Sequence, residues 1–187
     1  MTNDEVEKIE ISSFTQNIYE WLYMLTITLV VSLLLLTFAF RHISVDGESM
    51  SNTLHDKDQL VVTNLLDTPS VGDIVVISHG QEYNHPIIKR VIATEGQTLQ
   101  IDFEKHQVIV DGVIIYEPYI KEPTTVSGNT EIPKVIPKDT VFVMGDNRNH
   151  STDSRFHEIG LIDVKDIIGK AEFIFFPIDR FKSLANV

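Results

Sequence analysis

The most informative segment of the chain reads Val141-Phe142-Val143-Met144-Gly145-Asp146-Asn147-Arg148-Asn149-His150-Ser151-Thr152-Asp153-Ser154-Arg155. It begins as an apolar run typical of a buried strand, continues through a Gly-Asp-Asn turn, and ends in polar residues with charges of both signs. Ordinary surface loops rarely combine so many hydrogen-bonding groups of fixed geometry. Because functional residues concentrate on loops that rigid strands hold, we expect residues 145–155 to form part of a functional site.

Two segments earlier in the chain carry candidate catalytic residues, Ser49 and Lys89. Ser49 follows Gly47 in a polar segment and is expected to lie on a turn. Lys89 lies in a strand-like run, where period-two alternation places it on the same face as Ile87 and Val91. Burial among aliphatic side chains disfavours the ammonium form, so the pKa of such a lysine falls and its amine can act as a base.

Each of these signals also has a purely structural interpretation. A single Gly-x-Ser is far more often part of an ordinary turn than a nucleophile. A strand lysine usually extends to water, and Arg90 places a second cation on the opposite face of the same strand. Alternation alone therefore leaves open which of the two cations is buried.

In combination, these segments resemble those of bacterial type I signal peptidases of the short, single-anchor, Gram-positive-like kind. Residues 47–54 resemble the family's nucleophile box and residues 88–92 its lysine box. Residues 145–155 resemble its Gly-Asp-Asn-Arg-x-x-Ser-x-Asp-Ser-Arg box. Residues 72–76 and 173–177 resemble two strands of the family. They follow the family's order between about residue 20 and residue 180. The polar box is the most specific, since a chance match over its eight fixed positions is hard to credit.

The resemblance implies a serine–lysine catalytic dyad. In it Ser49 is the nucleophile, Lys89 is the general base, and the Ser151 hydroxyl hydrogen-bonds Lys89 and orients it. Further residues brace or shape residues 145–155, which we call the polar loop. They are Asp146, Asn147, Asp153 and Arg155. No cofactor and no metal ion is expected.

The implied substrate is the signal peptide of an exported preprotein, cut after a small-x-small motif. An extended peptide would add as a strand beside the chain before Ser49 and beside residues 84–88. Met50 and Ile87 are expected to line shallow apolar pockets that admit only small side chains. The apolar surface around such a site would lie against the membrane.

The chain departs from the family pattern at several positions. Asn52 replaces a usual proline, which loosens the turn after Ser49 more than it affects the chemistry. Gln97 replaces an aspartate, so the local turn hydrogen bonds are in question. Gly47 stands where some members carry a hydroxyl that binds the oxyanion, so the backbone must do more of that work.

An uncharged segment, Trp21 to Phe40, precedes all of these blocks. Its twenty residues at about 1.5 Å each give roughly 30 Å, the thickness of a bilayer core. Trp21 and Tyr23 at one end and Arg41 at the other are typical interfacial anchors. A buried core helix rarely needs this length without a polar face, and a cleaved signal would have a shorter apolar run and a basic leader. We therefore expect one transmembrane helix in contact with a lipid bilayer.

The orientation of this helix receives conflicting signals. Lys8 precedes the segment and Arg41 and Lys57 follow it, so the positive-inside rule slightly favours a cytoplasmic C-terminal side. The resemblance implies the reverse, and we follow it. Residues 1–20 are then a cytoplasmic leader, residues 21–40 a single-pass anchor, and residues 41–187 a catalytic domain on the extracytoplasmic face of the cell membrane.

Composition limits the possible partners. The chain has 187 residues and a formal net charge of −12, and it lacks an arginine-rich stripe, which argues against nucleic acid binding. It contains no cysteine, so neither disulfides nor thiolate metal sites are available. The length fits one modest domain plus an anchor. The sequence does not indicate an oligomeric state.

Beyond residue 43 the pattern is that of a β protein. Short apolar or β-branched runs separated by turn residues predict strands, and Asp111-Gly112 predicts a type I′ hairpin. Residues 121–137 contain three prolines and a glycine and are expected to form a long mobile loop, either a flap or an insertion. The predicted fold class is mainly β, and the resemblance implies an antiparallel sheet or partial barrel of signal peptidase type after the transmembrane helix.

Two other functions compete with a signal peptide-removing serine endopeptidase. Self-cleaving repressors use a similar dyad, but they carry a DNA-binding domain where this chain has an apolar segment and an acidic leader. A membrane-tethered β domain that binds exported proteins without cutting them would not need the set formed by Ser49, Lys89, Ser151, Asp153 and Arg155. Both alternatives are therefore disfavoured.

Overall fold

The structure is a computed structural model that describes residues 3–63 and 68–185, without the side chains of residues 3–14, 35, 36, 38 and 39. The chain divides into two compact units, Met1–Ala39 and Phe40–Val187. The predicted boundary between anchor and catalytic domain, residue 40/41, lies close to this division.

The first unit is helix α1, Asn3–Ala39. Its apolar part, Thr15–Leu34, has 20 residues, a mean hydropathy of 1.4 and no buried residue. A helix of this length and composition can cross a membrane. The helix runs through Glu20, where the sequence predicted a boundary between leader and anchor, because helical backbone propagates through a charged residue as readily as through an apolar one.

The second unit is built on a curled antiparallel sheet. Its strands are β1 Phe40–Ser44, β2 Gln59–Thr63, β3 Ile74–Ile77, β4 Ile87–Thr94, β8 Thr140–Met144, β9 Ile162–Asp163, β10 Ile167–Phe176 and β11 Lys182–Ser183. Their spatial order is β1, β2, β10, β3, β4, β8 and β9, with β11 paired to β10. Short 3-10 helices cover Arg148–His150, Val164–Asp166 and Ile178–Arg180. The predicted fold class, mainly β with an antiparallel sheet after an N-terminal helix, is confirmed.

A smaller antiparallel sheet contains β5 Leu99–Asp102, β6 Gln107–Val110 and β7 Val113–Ile114. Strands β6 and β7 form the hairpin predicted from the sequence, with Val110 paired to Val113. Asp111 and Gly112 at its tip have φ of 51° and 78°. Positive φ at both central residues is what a type I′ turn requires, which explains the Asp-Gly pair.

The larger sheet is covered on both faces near its centre. Strand β3 is buried at every position. Its consecutive residues belong to different apolar clusters, Val75 with Val91 and Val143, and Val76 with Leu60 and Ile174. On the neighbouring strand β4, the side chains that point to either face of the sheet can therefore be buried.

The segment that was expected to be a mobile loop, residues 121–137, is instead held against the polar loop. Asn149 Oδ1 accepts hydrogen bonds from Thr125 N at 2.9 Å and from Val126 N at 3.2 Å. The Arg155 carbonyl accepts the N–H groups of Asn129 and Thr130, each at 3.1 Å. These hydrogen bonds connect the segment to Asn149 and Arg155 of the polar loop.

Candidate active site

The structure brings Ser49 and Lys89 together. Ser49 lies on the turn between β1 and β2, and Lys89 lies on β4 opposite Val75. Lys89 Nζ is 2.7 Å from Ser49 Oγ, a hydrogen-bond distance. The lysine is 3% exposed. This is the geometry that a nucleophile and its base require.

Burial lowers the pKa of Lys89 from its ordinary value to about 8, against the opposing pull of the Asp153 and Asp146 carboxylates. The cause is desolvation, since an ammonium loses its hydration shell when it is enclosed by protein. A lysine with this pKa is partly neutral near neutral pH, and its unshared electron pair can accept a proton.

A cleft of about 690 Å³ opens onto the two residues. Its walls come from the turn before Ser49 and from the end of the β3–β4 connection, where Tyr83, His85 and Pro86 lie. Met50 and Ile87, predicted to contact substrate, both line it. Met50 is only 2% exposed and packs mainly into the apolar core, so it presents little surface to the cleft.

Asp153 and Arg155 form a fully buried ion pair within the polar loop. Arg155 Nε donates to Asp153 Oδ1 and a terminal guanidinium nitrogen donates to Oδ2, both at 2.8 Å. Asp153 Oδ2 also accepts Gly145 N at 3.0 Å. Arg155 reaches the carbonyls of Val126 and Arg148 as well. The pair therefore connects both ends of the loop to the segment that covers it.

Asp146 pairs with Arg90, and this contact was not predicted. Arg90 Nε donates to Asp146 Oδ1 at 2.8 Å and a terminal nitrogen donates to Oδ2 at 2.7 Å, with both side chains fully buried. The Thr53 hydroxyl also donates to Asp146. Arg90 follows Lys89 directly on strand β4, so its ion pair with Asp146 connects this strand to the polar loop. Its charge among aliphatic residues was the only signal in the sequence.

Asn147 holds the backbone next to Ser49. Its N–H donates to the Ser49 carbonyl at 3.0 Å, and its side-chain amide donates to the Glu48 carbonyl at 3.1 Å. Gly145, two residues before Asn147, packs so closely that a Cβ there would overlap the Ser49 carbonyl and the Ser151 side chain. The glycine thus lets the polar loop approach the turn that carries Ser49.

Ser151 does not make the hydrogen bond to Lys89 that the resemblance implied. Its hydroxyl is buried and has no hydrogen-bond partner among the described residues. The amine of Lys89 is within hydrogen-bond distance of Ser49 instead, and Ser151 packs against Gly145. Ser151 lies in the polar loop beside the site, as predicted, but in this arrangement it does not hydrogen-bond Lys89.

The residues that differ from the family pattern have defined surroundings in the structure. The Asn52 amide donates to the Ile120 carbonyl at 3.3 Å. Gln97 Oε1 accepts Thr94 N at 2.9 Å, and its amide donates to Asp111 at 3.0 Å, so the turn keeps its hydrogen bonds without the aspartate. Gly47 has φ of 91°, which disfavours a side chain there.

Comparison with known proteins places the chain in a family. A family model described as "Signal peptidase, peptidase S26" matches residues 18–176. The chain is thus a serine endopeptidase, a hydrolase of peptide bonds. It belongs to the signal peptidase, peptidase S26 family, and the resemblance stated from the sequence is confirmed.

Similar proteins come from several bacteria. "Signal peptidase I P" of Bacillus subtilis subsp. natto is 36% identical over 176 residues, which cover 89% of this chain and 93% of that protein. "Probable signal peptidase I-1" of Synechocystis sp. is 38% identical over 182 residues, covering 91% and 89%. A crystal structure of a signal peptidase I from Enterococcus faecalis V583 is similar with a TM-score of 0.44 and 19% identity, covering 56% of this chain and 97% of that chain.

Proposed function

We propose that the protein is a membrane-anchored endopeptidase that removes signal peptides from exported preproteins, with Ser49 as nucleophile and Lys89 as base. The observation that carries the proposal is the 2.7 Å contact between Ser49 Oγ and the buried Lys89 Nζ. The names of its relatives, signal peptidase I, support the substrate class.

In the proposed mechanism Lys89 enters the reaction as a neutral amine. The Ser49 hydroxyl donates its proton to the unshared pair of Nζ while Oγ attacks the scissile carbonyl carbon. Lys89 then returns the proton to the leaving amine, which leaves an acyl ester on Ser49. Water then gives a proton to Lys89 while its oxygen attacks the ester carbonyl, and Lys89 returns that proton to Ser49 Oγ as the acyl group leaves as a free carboxylic acid. Burial supports this role because it lowers the pKa of Lys89 to about 8.

The oxyanion of the tetrahedral intermediate needs a hydrogen-bond donor. Gly47 supplies no hydroxyl, and its N–H already donates to Asp56 Oδ1 at 3.0 Å. The Ser49 N–H is therefore our candidate donor. Its position depends on the Asn147 contacts with the Glu48 and Ser49 carbonyls. Donors of this kind contribute roughly 3 kcal/mol in comparable sites.

Asp153, Arg155, Asp146 and Asn147 are proposed to position the dyad and not to contact the substrate. The two buried ion pairs, Arg155 with Asp153 and Arg90 with Asp146, fix opposite sides of the loop that packs on Ser49. For Ser151 we propose a hydrogen bond to Lys89 that forms only when a substrate is bound, since hydrogen bonds in free active sites often tighten on binding.

The substrate is proposed to bind as an extended strand in the cleft at Ser49. Ile87 and the exposed part of Met50 would then limit the side chains beside the scissile bond. Helix α1 would anchor the enzyme, with residues 1–20 on the cytoplasmic side, residues 21–40 across the bilayer and residues 41–187 outside. Trp21 and Tyr23 are 79% and 66% exposed, so both are available to an interface.

Cleavage of a labelled preprotein in detergent micelles tests the proposed function. We expect a single cut, and sequencing the new N-terminus should place it after a small-x-small motif. The Ser49→Ala variant serves as the matched control. A domain that only binds exported proteins would retain the preprotein without shortening it, and that result would reject the proposal.

The proposed orientation makes a separate prediction. A reporter fused after residue 187 should be active outside the cytoplasm, and protease added to intact spheroplasts should digest the β unit. The same reporter fused before residue 1 is the control and should remain inside. A protected C-terminal unit would agree with the charge count of Arg41 and Lys57 against Lys8, and it would reject the orientation.

The pH dependence of cleavage follows from the identity of the base. Lys89 is protonated and inactive below its pKa, so kcat/KM should rise with pH up to about 8 and level off above it. Below that value the rate should fall about tenfold per pH unit. His157→Gln is the control and should leave the profile unchanged. A limb near pH 6.5 that disappears when His150 or His157 is replaced would identify a histidine as the base.

A further inference from the structure

A short segment lies against parts of the site that come from three distant regions of the chain. We call residues 117–121 the strap. They follow the hairpin of β6 and β7, and Lys121 is also the first residue of the segment that the polar loop holds. None of these residues lines the cleft at Ser49. The proposed mechanism does not use them.

The centre of the strap is Tyr119, whose ring covers the Arg90 guanidinium. Arg90 Cζ lies 3.9 Å from the centroid of the ring, and Arg148 Cζ lies 5.9 Å from it. A cation over an aromatic face is attracted by the ring, and the attraction grows when water is excluded. Both arginine side chains are fully buried. Burial raises the pKa of the Tyr119 phenol, so the ring stays neutral beside the carboxylate of Glu117.

The ends of the strap are tied to the same elements. Glu117 accepts two hydrogen bonds from Arg148, at 3.1 Å and 2.5 Å, and a third from the Tyr119 hydroxyl at 3.2 Å. Lys121 N donates to the Asp146 carbonyl at 3.0 Å. The Ile120 carbonyl accepts the Asn52 amide at 3.3 Å. The strap thus contacts the turn that carries Ser49, strand β4 and the polar loop.

A chain of contacts leads from Tyr119 to the reacting atoms. The ring packs on Arg90, and Arg90 forms a two-point ion pair with Asp146. The next residue, Asn147, donates its N–H to the Ser49 carbonyl at 3.0 Å. Buried ion pairs depend on good geometry and on the exclusion of water. Removing the ring would let water reach Arg90 and loosen Asp146.

We propose that Tyr119 is a positioning residue for peptide-bond cleavage, which acts through Arg90 and Asp146 to hold Ser49 Oγ at Lys89 Nζ. The inference rests on the proposed function. Because Tyr119 does not line the cleft, it affects the chemical step and leaves substrate binding unchanged.

The test compares Tyr119→Leu, Tyr119→Phe and the control Tyr116→Leu in the full-length protein, with a labelled preprotein as substrate. Tyr116 is three residues away and 85% exposed. Displacements of about 1 Å at reacting groups can cost about 100-fold in rate, so we expect Tyr119→Leu to lower kcat by about 10- to 100-fold at unchanged KM. Tyr119→Phe keeps the ring and should recover most of kcat. Tyr116→Leu should behave like the unmodified protein.

Several outcomes would overturn the inference. A kcat of Tyr119→Leu equal to that of Tyr116→Leu, or a change confined to KM, would contradict positioning. If Tyr119→Leu does not fold, Tyr119→Met replaces it, since methionine also lacks the ring but its longer, flexible side chain fills more of the space. Full kcat in Tyr119→Met would then contradict positioning by the ring. Failure of the proposed function is distinguishable, because the unmodified protein would not cleave the preprotein at all.

Discussion

Replacing Ser49 by Ala or Lys89 by Met is expected to abolish preprotein cleavage while the β unit stays folded. A nucleophile and its base act as one unit, so if Ser49 and Lys89 have the proposed roles, either change should lower kcat by on the order of 10⁴-fold or more. Methionine has nearly the length of lysine and suits a buried site, so Lys89→Met removes the amine without opening a cavity. Cleavage is measured by gel assay, and folding by circular dichroism.

Two further variants sharpen this prediction. Lys89→Arg keeps the positive charge, but a guanidinium stays protonated and cannot accept the proton of Ser49, so it should also be inactive. Lys165→Met is the matched control, because Lys165 is 76% exposed and its removal should leave the rate unchanged. Substantial cleavage by Ser49→Ala or by Lys89→Met would eliminate the dyad.

Asp153→Ala is expected to have the largest effect on stability. The change leaves the Arg155 guanidinium buried without its carboxylate and removes the acceptor of Gly145 N. Breaking a buried ion pair from one side costs about 3–5 kcal/mol. For a unit of this size that corresponds to a fall in Tm of roughly 10 °C. Thermal unfolding in micelles, followed by circular dichroism, measures it.

The control for Asp153→Ala is Asp163→Ala. Asp163 also pairs with a cation two residues away, Lys165 at 2.7 Å, but the side chains are 46% and 76% exposed. Exposed ion pairs contribute little, so the Tm of Asp163→Ala should not change measurably. Equal Tm values for the two variants would mean that the Asp153–Arg155 pair does not brace the loop.

Local patterns predicted the elements in which neighbouring residues carry the signal. Asp111-Gly112 specifies its hairpin because the turn needs positive φ at both positions. Strand β4 is recognisable from its run of β-branched and aliphatic residues. The polar box at residues 145–155 is dense enough in hydrogen-bonding groups to mark the loop that packs on Ser49.

These local patterns could not predict contacts between residues that are distant in sequence. Alternation could not decide between Lys89 and Arg90, because the sheet is covered on both faces and both residues are buried, 3% and 0% exposed. Tyr119 lies 29 positions from Arg90 in sequence, and nothing local connects them. Prolines in residues 121–137 suggested mobility, whereas the side chain of Asn149 fixes the segment from outside it.

The proposed mechanism requires Lys89 to be a neutral base in the folded protein, and its pKa can be measured directly. In protein labelled with ¹³C at lysine Cε, the resonance that is missing from Lys89→Met belongs to Lys89. We expect this resonance to titrate near pH 8, because burial lowers the pKa of Lys89. Exposed lysines should titrate near the ordinary value of about 10.4. A Lys89 resonance that titrates with the exposed lysines would rule out Lys89 as a neutral base.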